Sequence, residues 1–306
     1  VEEKLASDGL PVFRLNTETF GTYIQGTFLI DRNDLRLALH AEGGSIDLKR
    51  VTSVWYRRPE RPNYYGVIAG EEPRLFAEAE AKAFLDGLQA CLKCRWLSRP
   101  GAIRDAGHKI EQLRVANSIG FQVPPTLVTQ DPQAVREFRK KVDRHLVAKR
   151  IGRELYRAES LDKQYVVLTE LLEDNVLQDN RALATCPAIY QPYVDKKFEV
   201  RVTVVGDEVF ACRIDSQATE RTRIDWRNYD LNNTPHSPYQ LDSRHTKLCL
   251  TMVRHYGLNF GAIDLIVTPS CEVIFLEINP NGQWGWIEEL TGLPIAAAHA
   301  RFLSGA

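Results

Sequence analysis

Two apolar runs near the C-terminus, each broken by a single acid, constrain this chain more than anything else in it. In "CEVIFLEINPNGQW" (271–284) the stretch from Val273 to Ile278 is apolar except for Glu277, and Asn279 follows at once. In "LNFGAIDLIVTP" (258–269) Asp264 interrupts a run of the same kind. Such runs predict buried strands, and a buried carboxylate without partners is costly or takes up a proton. A hairpin joining 261–268 to 273–280 through the turn "PSCE" sets Thr268 opposite Val273, and so Asp264 opposite Glu277. Alternation then places Asn279 on the Glu277 face, about 6–7 Å away. Like charges facing each other destabilise a ladder unless a cation lies between them. Asp, Glu and Asn offer only hard oxygen, which suits magnesium bridging to phosphates rather than zinc. For either acid alone, loop capping or an arginine partner is the favoured explanation; taken together the acids favour a metal site.

A chain of 306 residues has room for roughly two domains and a sizeable core. Its net charge of −1 argues against a general nucleic-acid-binding surface. No apolar run approaches about 18–20 residues and no signal-peptide pattern is present, which predicts a soluble, cytoplasmic protein with no membrane partner. The six cysteines are scattered. Cys91 and Cys94, the one close pair, find no second pair to complete a zinc site and are expected as free thiols.

Three α/β units are expected. Residues 1–105 open with "VEEKLASDGLPVFRLNTE", read as a helix, a Gly turn and a strand. They continue through the strand "SVWYRRPE" (53–60) to the long amphipathic helix "EPRLFAEAEAKAFLDGLQACLKC" (72–94). A parallel-sheet domain normally opens on a strand, so a first strand is expected ahead of Val1. Arg57 and Arg58, at a strand end, are either solvated and ion-paired or meet an anionic substrate. Residues 106–185 begin with a helix from about Lys109 to Ser118, stopped near Gly120. Pro124-Pro125 then forces an extended exit into "TLVT". In the strand "HLVAKRI", Lys149 sits between apolar neighbours, where a lysine snorkels, finds an anion or loses its charge. Residues 186–306 carry a hairpin about Gly206-Asp207, with Glu199 and Arg201 on one face of its first strand. The polar tract "SQATERTRIDWRNYDLNNTPHSPYQLDS" (216–243) is too long for an idle connection.

In this order, and in "VWYRRP", "YQPYVDKKFEVRVTVVGDEVFACRIDSQ", "DWR", "YGLNFGAIDLIVTP" and "FLEINPNGQWGWIEELTGLPI", the chain resembles the ATP-grasp superfamily and, within it, the microviridin-type graspetide synthetases. The resemblance implies an α/β (α+β) ATP-grasp fold, two subdomains holding ATP between them, behind an N-terminal Rossmann-like pre-ATP-grasp domain. It makes Lys109 and Lys149 the phosphate lysines and Gln191, Pro192, Tyr193 and Val194 the hinge that reads adenine. Leu276 then packs on adenine from the strand face opposite Glu277. Asp264, Glu277 and Asn279 become magnesium ligands. Arg201 and Arg227 meet the transferring phosphoryl group or the substrate carboxylate, and Glu199 positions the core peptide. The implied activity uses ATP and magnesium to join Asp or Glu side chains of a ribosomal precursor peptide to its own Ser/Thr hydroxyls or Lys amines. A separate leader site, for which the tract 216–245 is the candidate, and a homodimer are implied as well. The Gly-rich loop that grasp enzymes close over the phosphates has only Gly152 to build on in "KRIGRELYRAESLDKQ". An intermolecular amino-acid ligase and a catalytically silent nucleotide-binding scaffold are the alternatives.

Overall fold

The structure, a computed structural model, describes every residue except 33, 43, 153–155, 158–163, 166–167, 229 and 306, and describes 156, 157, 164 and 165 by backbone alone. The segment expected to cover the phosphates therefore lies largely outside the described residues. The chain forms two compact units, Val1–Leu97 with His299–Ala306, and Ser98–Ala298.

In the first unit, α1 (Glu2–Ser7) precedes an antiparallel sheet of β1 (Ile24–Asp31), β2 (Asp34–Ala41) and β3 (Gly44–Asp47). β4 (Ser53–Val54) and β5 (Arg95–Trp96) form a short parallel pair around α2 (Glu71–Cys91). Helical spacing puts Ala81, Leu85 and Leu88 of α2 on one stripe, which packs with Phe20, Leu37 and Leu39. Two expectations change here. The chain after Gly9 forms no strand until Ile24, and the antiparallel meander of 24–47 takes the place of the expected early strand. The strand "SVWYRRPE" shrinks to Ser53–Val54, since Arg58 adopts φ 44° and Pro59 and Pro62 cannot donate to a ladder.

The second unit starts with α3 (Pro100–Asp105), α4 (Lys109–Ile119), β6 (Leu127–Thr129), α5 (Pro132–Val142) and β7 (Leu146–Lys149). A short pair, β8 (Tyr156–Arg157) and β9 (Gln164–Tyr165), is followed by β10 (Glu170–Leu171), α6 (Asp174–Gln178), α7 (Asn180–Ala184) and β11 (Ala188–Pro192). Strands β10, β7, β11 and β6 make a four-stranded sheet in that order. The sequence reads accurately at α4: Gly120 takes φ 104° and the Phe121 N–H closes on the Ala116 carbonyl, a left-handed helix end that glycine adopts without strain.

A second, antiparallel sheet orders β14 (His236–Tyr239), β13 (Glu208–Ile214), β12 (Phe198–Val205), β15 (Phe260–Val267) and β16 (Val273–Asn279). The helices α8 (Ser243–His255), α9 (Gly285–Thr291) and α10 (Ile295–Ser304) complete the chain. Every residue of β12 and β15 is buried. On one face Val200, Val202, Val204, Ile263, Leu265 and Val267 pack with Met252 and Val253 of α8 and Val115 of α4. Each such aliphatic side chain contributes about 1.5–3 kcal/mol by leaving water. The other face carries Glu199, Arg201 and Asp264, and this is where the chemistry can lie.

The β15–β16 hairpin brings Asp264 opposite Glu277, as expected, but by a different route. Near the turn Val267 faces Val273 and Leu265 faces Phe275, one residue off the expected register, and Leu276 is then inserted as a bulge before Asp264 meets Glu277. The bulge reverses the phase of the strand. Val273 and Phe275 on one side of it, and Ile278 on the other, all reach the apolar core. Without the extra residue, Glu277 would share the core face of Phe275.

Candidate active site

A cleft opens between the two sheets of the second unit. Its lining includes Lys109, Lys149, Gln191, Pro192, Tyr193 and Val194, along with Glu199, Arg227, Asp264, Leu276 and Glu277. Arg201 and Asn279 are outside that lining. Leu276 and Glu277 open onto the same cleft, where a regular strand would have pointed them apart; the bulge is the reason.

Each lysine arrives from its own element. Lys109 begins α4 and approaches Glu277, with Nζ to Oε2 at 3.2 Å, and also donates to the Arg150 carbonyl at 3.3 Å. Lys149 ends β7 and donates to Gln191 Oε1 at 2.9 Å, and Gln191 in turn donates to Thr126 Oγ1 at 2.9 Å. Burial is the main influence on Lys149 and pulls its pKa down to about 8, only partly offset by the charge of Glu277. A polyphosphate bound beside it would restore the ammonium, so binding takes up a proton once the pH exceeds the free group's pKa. We expect ATP affinity to fall on the order of tenfold between pH 7 and 9.5, and Lys149→Arg to flatten that dependence. Calorimetric titration across the range checks both, and a flat wild-type profile would remove Lys149 from the phosphate site.

The acids are held by cations of the chain itself. Arg201 Nη1 donates to both oxygens of Asp264, at 2.8 and 2.7 Å, in a pair whose side chains are 6% and 7% exposed. Glu277 meets Lys109 on one oxygen and Arg227 Nη1, at 3.5 Å, on the other. Burial raises its pKa, but Lys109 and Arg227 outweigh burial and hold it to about 2. The arginine-partner explanation thus describes the free chain. The Asn279 amide nitrogen lies 3.2 Å from Asp264 Oδ2 and 3.2 Å from Glu277 Oε1, so it ties the two acids together. Turned end for end, that amide presents its oxygen to the same point, giving three hard oxygens of the kind magnesium takes. The donor set therefore fits the ion. Among the described residues no cluster of three or more His, Cys, Asp or Glu forms a metal site of another kind.

Two residues lining the cleft, Asp225 and Lys196, and one buried behind it, Gln112, were not foreseen. Asp225 accepts from Arg227 Nε at 2.8 Å and Nη2 at 2.5 Å, and from the Thr169 N–H at 2.9 Å, so the "DWR" loop is fastened to the segment before β10. Burial pushes the Asp225 carboxyl up, but the bonds from Arg227 win and hold it far below the usual range. Lys196 donates to Glu199 Oε1 and to the Ile224 carbonyl, both at 2.8 Å. Gln112 reaches β16 from α4. The Lys-x-x-Glu and Asp-x-Arg spacings were visible signals; Gln112 left none. The long polar tract folds on itself, with Thr222 Oγ1 donating to the Ser216 carbonyl at 2.8 Å and Trp226 packing on Trp286 at 5.2 Å, and it delivers Asp225 and Arg227 to the cleft.

A four-stranded and a five-stranded sheet, with two lysines, the end of β11 and an acidic hairpin around one cleft, define a nucleotide-dependent ligase of the grasp type. The chain belongs to the RimK-like ATP-grasp family, whose domain matches residues 106–303, and an MvdD pre-ATP-grasp domain matches residues 1–104. The fold class expected from the sequence is the one found. The chain is similar to macrocyclase MdnC of Microcystis aeruginosa MRC, bound with precursor peptide MdnA, at 30% identity and TM-score 0.86 over 100% of this chain and 94% of that one. Macrocyclase MdnB of the same organism matches at 30% identity and TM-score 0.79, over 99% and 94%. A RiPP-associated ATP-grasp ligase of Chryseobacterium gregarium, in complex with ADP and a leader and core peptide, matches at 28% identity and TM-score 0.90, over 99% and 91%. No curated protein sequence matches. No helix among the described residues is long and apolar enough to cross a membrane.

Proposed function

We propose that the chain is an ATP- and magnesium-dependent macrocyclase that joins Asp or Glu side chains of a ribosomal precursor peptide to hydroxyls or amines of the same peptide. The observation that carries this reading is the facing pair Asp264 and Glu277 in a cleft that also holds Lys109, Lys149 and Arg227. In this reading residues 106–185 and 186–306 form the two halves that enclose the nucleotide, residues 1–105 are the preceding domain, and a homodimer is part of the same picture.

A carboxylate is a poor electrophile and must be activated. Magnesium, when held by Asp264, Glu277 and Asn279, would neutralise charge on the terminal phosphates. Lys109 and Lys149 then leave their protein partners for phosphate oxygens, while Gln191 to Val194 and Leu276 enclose the base. Glu199, held by Lys196 beside the hinge, is placed for the sugar hydroxyls of a nucleotide better than for a core peptide. Arg227 is fixed by Asp225 and lies beside Glu277, where its guanidinium can steady the substrate carboxylate as one of its oxygens attacks the γ-phosphorus. The P–O bond to ADP breaks and an acyl phosphate forms. A hydroxyl or amine of the same peptide then adds to the acyl carbon, loses its proton and expels phosphate. Having both partners on one chain supplies a high effective concentration, and no protein nucleophile is needed.

The test is the mass of the product. A precursor peptide incubated with the protein, ATP and magnesium should lose one water per ring, with one ADP formed for each. A gain of one amino-acid residue would show an intermolecular ligase instead, and an unchanged mass with no ADP would show a scaffold.

A further inference from the structure

Gln112 is a polar side chain 1% exposed, on the face of α4 that meets β16. Its amide oxygen accepts the Ile278 N–H at 3.1 Å, and its amide nitrogen donates to the Ile278 carbonyl at 2.9 Å and to the Ala106 carbonyl at 2.6 Å. β16 is the last strand of its sheet, so one edge has no neighbouring strand to satisfy its backbone groups. Farther along that edge, the Phe275 N–H is taken by the Gln122 carbonyl at 2.8 Å. At Ile278 a side chain does the work of a strand, presenting one acceptor and one donor in the pattern a backbone partner would offer.

Ile278 is the residue between Glu277 and Asn279, and a bulge lies directly before Glu277. Bulged strands lose ladder contacts where they bend, so an external hold matters most at this point. Lys109 stands one helical turn before Gln112, and its ammonium reaches Glu277. One face of α4 therefore grips consecutive residues of β16, by charge at Glu277 and by amide at Ile278.

The geometry points to Gln112 as a positioning residue: by clamping the backbone of Ile278 it fixes Glu277 and Asn279 as a pair and keeps Lys109 in step with them. The inference rests on the proposed magnesium role of those two residues. It distinguishes Gln112 from an ordinary buried polar group, whose loss would weaken the fold without selectively weakening a metal.

The test is Mn²⁺ titration of the full chain in the presence of ADP, with free Mn²⁺ followed by electron paramagnetic resonance, beside metal-free ADP binding by calorimetry. Gln112→Met keeps the volume and removes all three bonds. It should weaken Mn²⁺ about tenfold and leave metal-free ADP binding within about twofold. Gln112→Leu also removes all three bonds without adding a charge, should weaken Mn²⁺ to the same extent, and stands in if Gln112→Met fails to fold. Val115→Ala loosens the same helix from its apolar side and should leave the Mn²⁺ constant unchanged. Wild-type Mn²⁺ affinity in the Gln112 variants, or equal weakening by Val115→Ala, would overturn the inference. Glu277→Gln in the same titration separates the two readings. If it retains wild-type Mn²⁺ affinity, the metal assignment fails and this inference with it; if it loses affinity while the Gln112 variants do not, the role of Gln112 alone fails.

Discussion

Glu277→Gln should reduce ADP formation by at least about a hundredfold and leave the fold intact. The substitution keeps the shape of the side chain, and the carboxylate faces the cleft, so core packing is undisturbed. What it removes is the one group placed to meet Lys109, Arg227 and a metal at once. Loss of a hard ligand weakens both the ion and the charge neutralisation on which phosphoryl transfer depends. The low pKa of Glu277 sharpens the comparison. The wild-type group stays ionised through the whole working range, so no choice of pH reproduces the neutral variant in the wild-type chain. Coupled-enzyme measurement of ADP release at saturating magnesium, beside thermal melting, checks both halves. Turnover at the wild-type rate would sink the metal assignment.

Arg201→Lys is the second large effect, and the structure changes why. The sequence resemblance gives Arg201 to the phosphoryl group or the substrate carboxylate. The structure leaves Arg201 itself outside the cleft lining and places both of its short contacts on Asp264, which is part of that lining. Lysine preserves the charge but loses the planar guanidinium whose Nη1 bonds both oxygens of Asp264 while its Nη2 reaches the Gln283 carbonyl at 3.5 Å. Asp264 should then turn, the Asn279 bridge should open, and ring formation should fall about 10–100-fold, the usual cost of losing a partner that orients a metal ligand. ATP binding should survive, since Lys109, Lys149 and the hinge are untouched. Undiminished water loss by mass spectrometry would show that orientation of Asp264 is not limiting. Space around this arginine is tight: a Cβ at Gly282 would come within 2.7 Å of Arg201 Nη2 and 2.6 Å of Ala262 Cβ, so the glycine is part of how the pair fits.

The acidic hairpin was legible because two carboxylates in apolar strands have few physical remedies, although the facing expected from simple pairing is reached in the structure only through the bulge at Leu276. Lys149 was legible for the same reason, as a charge among apolar neighbours, whereas Lys109 was singled out by the resemblance alone. The bulge was not, because "VIFL" is an unbroken apolar run and period-two alternation cannot show where an extra residue enters it. Gln112 was hidden for a related cause: in a helix of mixed composition a glutamine looks like a surface residue, and only the position of the β16 edge gives it partners. The partners of Asp225 lie at Thr169 and Arg227, one of them 56 residues away, a separation no local pattern reveals. In the first unit, strand propensity overstated "SVWYRRPE", where arginine and proline end the pairing early, and the meander of 24–47 passed unnoticed because its strands expose much of their surface.

The inserted Leu276 also divides one strand into two phases. On the turn side Val273 and Phe275 point to the apolar core, and beyond the bulge Ile278 keeps to that core while Glu277 is turned to the cleft. A chain that lengthened or shortened the turn at 268–272 by one residue would shift Val273 and Phe275 along their partners, and loss or gain of the bulged residue could absorb that shift before it reached Glu277. Holding the acidic pair face to face through a change of turn length would thus take a second change, at the bulged residue itself.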